Sequence, residues 1–369
     1  MKIRFRNIMI LLVLFVGGSS CDSFLDVQPK GEVLEGDLLK DAKGFENALY
    51  GVYAKMGSTN LYGQNLSYSA LDLMAQYYTS TNNEEVEPLI KYDYTNTKAE
   101  DLFYNIWCDM YSNIAYANNV LEHLEKFSPA DMQFYNIYKG EALGLRAFMH
   151  FDLLRIFSEQ ITVNESADGI PYSTRFSLFA PDILKSKDVY KRIISDLRSA
   201  EQLLDDEELY ASASSNANFL KDQNIHFNLQ AVQATLARVY LTEGTLDSAL
   251  YYAQQVIQAP GLSLLDYTDI AGDLAGKLSS KETVFGIYSK NFAEPVIKIL
   301  HNSQTAYSFE MRYNIQQLYQ INGAGNDYRW GAWYTYNNTI KYWKLDKLTD
   351  TYVLNNTEYN RPAGEIRGI

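Results

Sequence analysis

Apolar residues recur at helical spacing through the first two thirds of the chain. Phe45, Leu49, Val52 and Met56 follow one another at intervals of four, three and four residues, which predicts a helix with one apolar face over 41–56. The same spacing predicts five further helices, at 99–126, 131–157, 188–204, 227–243 and 246–258. The pattern therefore indicates a mainly α-helical protein.

Two pairs of these helices resemble structural repeats. Helices 227–243 and 246–258 match the tetratricopeptide pattern, in which small residues let two antiparallel helices approach and a tyrosine fills the groove. The matching positions are Leu236, Ala237, Tyr240, Gly244, Ala249 and Ala253. Helices 131–157 and 188–204 form a similar pair. We predict a scaffold of tetratricopeptide-like hairpins, although a generic helical hairpin would explain part of the pattern.

The segments between and after the helices are polar or irregular. Residues 57–97 are rich in tyrosine without a clear period, 159–186 contain two prolines, and 205–224 form a polar connector. Beyond Pro260 the helical signal fades, and only 281–289 and 339–345 have the pattern of strands. We expect long irregular, aromatic-rich insertions and a few short strands on the helical scaffold.

The first twenty residues have the pattern of a secretion signal. Three basic residues precede an unbroken apolar run at 8–16, which is too short to span a bilayer. Small residues follow, and then Cys21, which stands where lipoproteins are acylated. We predict a lipoprotein signal peptide over 1–20 and lipidation at Cys21, because more than one acyl chain anchors a protein stably.

Composition and charge limit the possible partners. The chain has 369 residues, 47% of them hydrophobic and 21% charged, so it can bury a large core. Its net charge is −13, and this becomes −16 once residues 1–20 are removed. So acidic a surface repels phosphate backbones, which argues against nucleic acid as a partner. The 30 tyrosines suit both half-buried packing and recognition surfaces.

The sequence lacks the common catalytic and metal-binding motifs. It contains no His-Glu-x-x-His, Gly-x-Ser-x-Gly, Walker A or Cys-x-x-Cys. His150 lies beside the apolar stripe of its helix, so we expect a packed residue and not a ligand. Cys108 follows Ile106 and Trp107, so we expect a small buried core residue and not a nucleophile. We predict a protein that is not an enzyme and holds no cofactor or metal.

Several ordered segments resemble the SusD/RagB family. Residues 21–29 (CDSFLDVQP) are similar to the lipidated start of its members, and 45–53 (FENALYGVY) to their first helix. Residues 141–148 and 234–241 are similar to two later helices, and 326–329 (NDYR) to a motif that follows them. The similarity extends over nearly the whole chain after the signal peptide.

The resemblance implies a function. Members of this family are surface lipoproteins of Bacteroidetes that bind glycans, or peptides in some relatives, and pass them to a TonB-dependent barrel of the SusC type. We therefore expect 21–369 to be a SusD-like domain, lipid-anchored in the outer membrane and facing the exterior, that captures oligosaccharides for a SusC-like partner. The resemblance also implies further C-terminal helices after residue 361, which this copy is predicted to lack.

A sugar site needs flat rings for the apolar faces of pyranoses and polar groups for their hydroxyls. Two aromatic-rich stretches on predicted loops carry both, one between the first two predicted helices and one after the last. The candidate ligand-binding residues are Tyr68, Asp72, Tyr78, Tyr307, Trp330 and Trp333. Trp330 and Trp333 lie on a predicted glycine-rich loop, and one of the adjacent Tyr77 and Tyr78 is expected in the core. Asp327 and Arg329 suit either a ligand contact or an internal salt bridge.

Two rival functions stay open at this level. The first is a peptide-binding or partner-bridging lipoprotein on the same scaffold, for which replacing Trp330 and Trp333 by alanine would leave ligand uptake unchanged. The second and more remote rival is a secreted glycosidase, which would release reducing sugar and needs a pair of acids in one cleft. The acids at 205–208 lie on a polar connector and do not suggest such a pair.

Overall fold

The computed structural model describes the chain from Leu38 onward with internal gaps. The described residues are 38–80, 84–179, 181–205, 218–220, 223–266, 268–269, 281–289, 293–301, 309–311, 319, 327–337, 342–345, 351–354, 357–360 and 366–368. The predicted signal peptide, the predicted lipidation site Cys21 and the candidate Tyr307 lie outside them.

Helices dominate the described residues, and the helices are α1 (Ala42–Met56), α2 (Ala70–Met74), α3 (Glu87–Ile90), α4 (Thr97–Leu124), α5 (Tyr135–Phe157), α6 (Ser186–Leu204), α7 (Leu229–Glu243), α8 (Leu246–Ile257), α9 (Ala293–Val296) and α10 (Tyr328–Trp333). Short 3-10 turns at Asn218–Leu220 and Gln223–Ile225 precede α7, and a π-helical turn at Ile297–His301 follows α9. The six helices predicted from periodicity are thereby confirmed.

Ten short strands accompany the helices, and they are β1 (Tyr78–Ser80), β2 (Asp168–Pro171), β3 (Ile183–Lys185), β4 (Gly286–Tyr288), β5 (Phe309–Met311), β6 (Tyr334–Asn337), β7 (Tyr342–Leu345), β8 (Thr351–Leu354), β9 (Thr357–Asn360) and β10 (Ile366–Gly368). They pair two by two and antiparallel, as β1–β5, β2–β3, β4–β10, β6–β7 and β8–β9. The predicted strands at 281–289 and 339–345 are confirmed as β4 and β7. The predicted loop at 159–186 instead contains the β2–β3 hairpin.

The helix ends follow local hydrogen bonding. Asp41 accepts a hydrogen bond from the Gly44 amide at the start of α1, and Asn228 does the same for Ala231 at the start of α7. Helix α5 starts at Tyr135, four residues later than predicted, because Phe134 adopts a left-handed conformation with φ 63°. A helix cannot pass through a residue in that conformation.

Small residues bring the helices of the two predicted hairpins together. Gly244 ends α7 with φ 93°, and its amide bonds back to the Tyr240 and Leu241 carbonyls, so α8 returns along α7. Helix α5 packs against α6 and α4. At Gly140 an added Cβ would lie 2.6 Å from Leu204 Cγ, so only glycine permits this approach of α5 to α6.

Helix α5 is the centre of the core, and almost all of its residues are buried. Its buried Arg146 donates two hydrogen bonds to Asp196 of α6, at 2.7 and 2.8 Å, and one to Asn118 of α4, at 3.0 Å. A bidentate pair of this kind fixes the register of three helices at once. Within the described residues, no helix combines the length and the apolar character needed to cross a membrane.

Candidate functional site

The two aromatic-rich stretches predicted to bind ligand come together in the fold. Strand β1 pairs with β5, with Tyr78 opposite Met311, and β5 lies against β7. Burial raises the pKa of Tyr334, which begins β6, and Asp72, which precedes β1, is near enough for its charge to add to that rise. Residues from between α1 and α4 and residues from after α8 therefore form one surface, over a second small core that contains Tyr68, Leu73 and Val296.

Three partly exposed rings form what we call the aromatic cluster: Tyr319, Trp330 and Tyr334. Trp330 and Tyr334 are stacked, with centroids 5.1 Å apart and an interplanar angle of 24°. Tyr319 lies 5.8 Å from Trp330 and 5.4 Å from Tyr334, and the two tyrosine hydroxyls are 3.1 Å apart. Because the rings hold one another, the cluster offers a preformed aromatic surface with hydroxyls at its edge.

An ion pair borders the aromatic cluster. Asp327 begins α10 by accepting the Arg329 amide, and the Arg329 side chain donates to both of its carboxylate oxygens, at 2.9 and 2.6 Å. These hydrogen bonds hold the pKa of Asp327 below its ordinary value and that of Arg329 above it. The guanidinium lies 5.2 Å from the Tyr319 ring and 5.9 Å from that of Trp333. The internal salt bridge that the sequence left open is thus present, and part of the guanidinium faces solvent.

A half-buried carboxyl group completes the site. Asp72 lies in the first turn of α2, and burial raises its pKa to about 6. Burial raises the pKa of Tyr78 and of Tyr334, and the charge of Asp72 adds to both rises. Asp72 therefore titrates near neutral pH and, once ionised, accepts hydrogen bonds beside the aromatic cluster.

The predicted ligand residues fall into three groups. Trp330 and Trp333 are partly exposed, but they lie on the short helix α10 and not on a loop, because Asp327 caps a helix start there. Asp72 is half-buried at the edge of the same surface. Tyr68 and Tyr78 are instead buried, with 0% and 6% exposure, and a ring with no free face cannot stack on a sugar. The prediction that Tyr68 and Tyr78 contact the ligand is therefore corrected: both residues pack beneath the surface and support it.

Two ring residues of the site were not among the predicted contacts. Tyr334 belongs to the aromatic-rich stretch after the helices, and it meets Trp330 because the chain passes from α10 into β6 at this residue. Tyr319 shows no such local signal, since it reaches the cluster only through the tertiary fold. The expectation for the adjacent tyrosines is confirmed, because Tyr77 is 56% exposed while Tyr78 is buried.

Two other sequence expectations concern possible chemistry. His150 is confirmed as a packed residue: its Nδ1 lies 2.8 Å from the Arg146 carbonyl, its Nε2 accepts the Ser173 amide, and burial lowers its pKa to about 3. The expected burial of Cys108 is wrong, because its side chain is exposed on α4. Within the described part of the chain, no cluster of three or more His, Cys, Asp or Glu residues is placed to hold a metal ion.

The fold is thus a scaffold of helical hairpins that carries a preformed aromatic surface. A sequence model of a SusD-like family, described as starch-binding and associating with the outer membrane, matches residues 23–241. The chain belongs to this SusD-like family.

Individual relatives agree with this assignment. SusD-like protein P38 of Formosa agariphila is 27% identical over 213 residues, which are 54% of this chain and 38% of that protein. SusD-like protein P2 of the same organism is 26% identical over 259 residues, 68% of this chain and 45% of that protein. The matched part therefore spans less than half the length of either curated relative.

A solved structure extends the likeness to the fold. A SusD superfamily protein from Bacteroides thetaiotaomicron superposes with a TM-score of 0.66 and 21% identity, over 83% of this chain and 69% of that chain. At this identity the likeness concerns the fold alone. It confirms the predicted mainly α-helical architecture.

Proposed function

We propose that this chain is a carbohydrate-binding lipoprotein of the outer membrane, which captures a neutral oligosaccharide at the aromatic cluster without chemical turnover. The observation that carries the proposal is the stacked pair of Trp330 and Tyr334, with Tyr319 held against both. The family description as starch-binding and associating with the outer membrane supports the class of ligand and the location.

The chemistry of the site suits a sugar. The C–H face of a pyranose lies on the exposed parts of the rings, while its hydroxyls donate to Asp72 and accept from Arg329. Trp333, beneath the Arg329 guanidinium, supplies a further ring edge. No step in this account makes or breaks a covalent bond.

The charge of the site favours a neutral ligand. Of the described residues around the aromatic cluster, Asp72 and Asp327 are acidic and Arg329 is basic, so the site carries one net negative charge when Asp72 is ionised. The whole chain is acidic as well. Polyanionic glycans would meet repulsion on approach, whereas neutral ones would not.

The remaining parts of the proposal concern delivery. Residues 1–20 would direct secretion, acylation of Cys21 would hold the protein in the outer membrane facing the exterior, and the helical hairpins would meet a SusC-like TonB-dependent barrel that receives the oligosaccharide. Replacing Cys21 by serine tests the anchor directly. The variant should leave the membrane fraction and lose incorporation of labelled palmitate, whereas unchanged incorporation would contradict lipidation at Cys21.

The ligand class is tested by isothermal titration of the full chain with neutral and acidic oligosaccharides and with peptides of matched length. We expect heat from at least one neutral oligosaccharide and none from the peptides. Heat from peptides alone would favour the peptide-binding rival. Release of reducing sugar by the purified protein would instead establish a glycosidase.

A further inference from the structure

A second ring-lined cavity lies along helix α4, away from the aromatic cluster. Its volume is about 550 Å³, within the usual range of ligand sites. One wall is formed by two adjacent stripes of α4 that contain Trp107 and Tyr111 on one and Cys108 and Ser112 on the other. The opposite wall is the segment around Phe176. We call this cavity the α4 groove.

The far wall of the α4 groove is held in place by polar groups of α4 itself. Tyr111 donates to the Pro171 carbonyl at 2.7 Å, and Asn118 donates to the carbonyls of Ser173 and Arg175 at 3.2 and 3.1 Å. Glu122 accepts the Phe176 amide at 2.9 Å. These bonds place the wall before any ligand arrives, so the groove is preformed.

The rings of the α4 groove are available to a ligand. Trp107 is fixed edge-on against Phe157 at 4.9 Å, which leaves the indole partly exposed toward the groove. Across from it, Phe176 is 44% exposed and Phe179 is 87% exposed. A ligand in the groove can therefore contact rings on both walls.

The α4 groove is also uncharged. The described residues that line it are aromatic, aliphatic, serine, proline and cysteine, and they include no acid and no base. Serine hydroxyls at Ser112, Ser173 and Ser177 stand between the rings. Such a lining suits a neutral ligand with a flat apolar face and hydroxyls at its edge.

We propose that the α4 groove is a second carbohydrate site, which takes a neutral oligosaccharide in addition to the aromatic cluster. The inference rests on the proposed function for its ligand class. The rings of Trp107 and Phe179 suit the flat C–H face of a pyranose, and the serine hydroxyls of the lining can bond its hydroxyl groups.

Helix α4 also connects the groove to the region of the aromatic cluster. Ala99 of α4 belongs to the small core beneath that cluster, and Phe103 packs against the same core. Trp107 follows Phe103 one helical turn later, about 6 Å along the axis.

Cys108 provides a direct probe, because it is exposed and lines the α4 groove. The chain contains two cysteines, so Cys21→Ser in the full chain leaves Cys108 as the sole thiol. The experiment measures the rate of maleimide labelling at Cys108 with each oligosaccharide of the titration panel. At a concentration ten times Kd, occupancy should slow labelling about tenfold, because only the empty groove reacts.

Two variants assign the effect to the groove. Phe179→Ala removes an exposed ring and should raise the oligosaccharide concentration that gives half-maximal protection of Cys108 about 3- to 10-fold. Trp330→Ala should leave that concentration unchanged. Tyr251→Ala is the matched control, since Tyr251 is an exposed ring on α8 outside both sites.

The outcomes separate this inference from the proposed function. An oligosaccharide that binds through Trp330 and leaves Cys108 labelling unchanged would overturn the second site while the proposed function stands. Protection of Cys108 that survives Trp330→Ala would support the groove as a separate site. Only if, in addition, no oligosaccharide of the panel loses affinity in Trp330→Ala would the groove stand while the aromatic cluster is contradicted. Protection by an amphipathic peptide but by no oligosaccharide would overturn the inference, as would the absence of any protection.

Discussion

Replacing Asp72 by asparagine should stabilise the protein, and should do so more as the pH rises. In the folded chain burial raises the pKa of this carboxyl to about 6, while its ordinary value is 3.8. Because the folded pKa is the higher one, the folded state is favoured when Asp72 is protonated. The stabilisation that the protonated carboxyl gives to the fold is fully present below pH 3.8 and is lost as the pH rises through 6.

The size of the effect follows from the two pKa values. Each pKa unit corresponds to about 1.4 kcal/mol, so the ionised carboxyl costs the fold about 3 kcal/mol at pH 7 and about 0.5 kcal/mol at pH 4. Partial contact with solvent screens the charge and reduces the upper value to about 2 kcal/mol. An uncharged amide at this position avoids that destabilisation. A carboxylate that destabilises the fold is consistent with a role in binding, where function and stability conflict.

The assay is urea unfolding of the full chain and of the Asp72→Asn variant, followed by circular dichroism at several pH values between 4 and 7. The gain in unfolding free energy should grow by about 1.5 kcal/mol across this interval. Asp101→Asn, at an exposed position on α4, is the control. A difference between variant and parent that does not change with pH would refute the burial argument for Asp72.

Two further predictions test the scaffold. A Cβ at Gly144 would lie 2.5 Å from the Phe227 ring, so Gly144→Ala should lower the unfolding free energy by about 1–3 kcal/mol. The control is Gly51→Ala on α1, where a Cβ meets nothing within 4 Å, and it should raise the unfolding free energy by up to about 1 kcal/mol. Equal effects of the two substitutions would contradict the packing at Gly144. Arg146→Met should lower the unfolding free energy by about 3–5 kcal/mol in the same urea experiment, because it leaves the carboxylate of Asp196 without its ion-pair partner. A loss that persists unreduced when Asp196→Asn is added would argue against the pair.

Most of the helical scaffold could be predicted because its apolar residues recur on one face. Phe45, Leu49 and Val52 are fully buried as their spacing indicates. The same reasoning shows why Cys108 was misjudged. Ile106 and Met110, four residues apart, occupy the buried face of α4, while Cys108 lies about 200° around the helix from Ile106 and is exposed. Apolar neighbours in sequence do not decide which side of a helix a residue occupies.

The candidate site could be predicted in composition but not in arrangement. The tryptophans and Asp72 stand out in the sequence as residues suited to sugar binding. Their meeting depends on the pairing of β1 with β5, which joins segments more than two hundred residues apart. The same pairing buries Tyr78, and no local pattern distinguishes a buried tyrosine of this kind from an exposed one. Long-range contacts therefore decide which aromatic residues reach a ligand.

The binding affinity of a neutral oligosaccharide for the Trp330→Ala variant tests the central claim most directly. Trp330 forms the stacked face with Tyr334, so its removal should weaken binding by about tenfold or more, with the circular dichroism spectrum unchanged. Tyr251→Ala on α8 should bind as the parent does. If Trp330→Ala binds every oligosaccharide of the panel with the parent's affinity, the aromatic cluster is not the carbohydrate site.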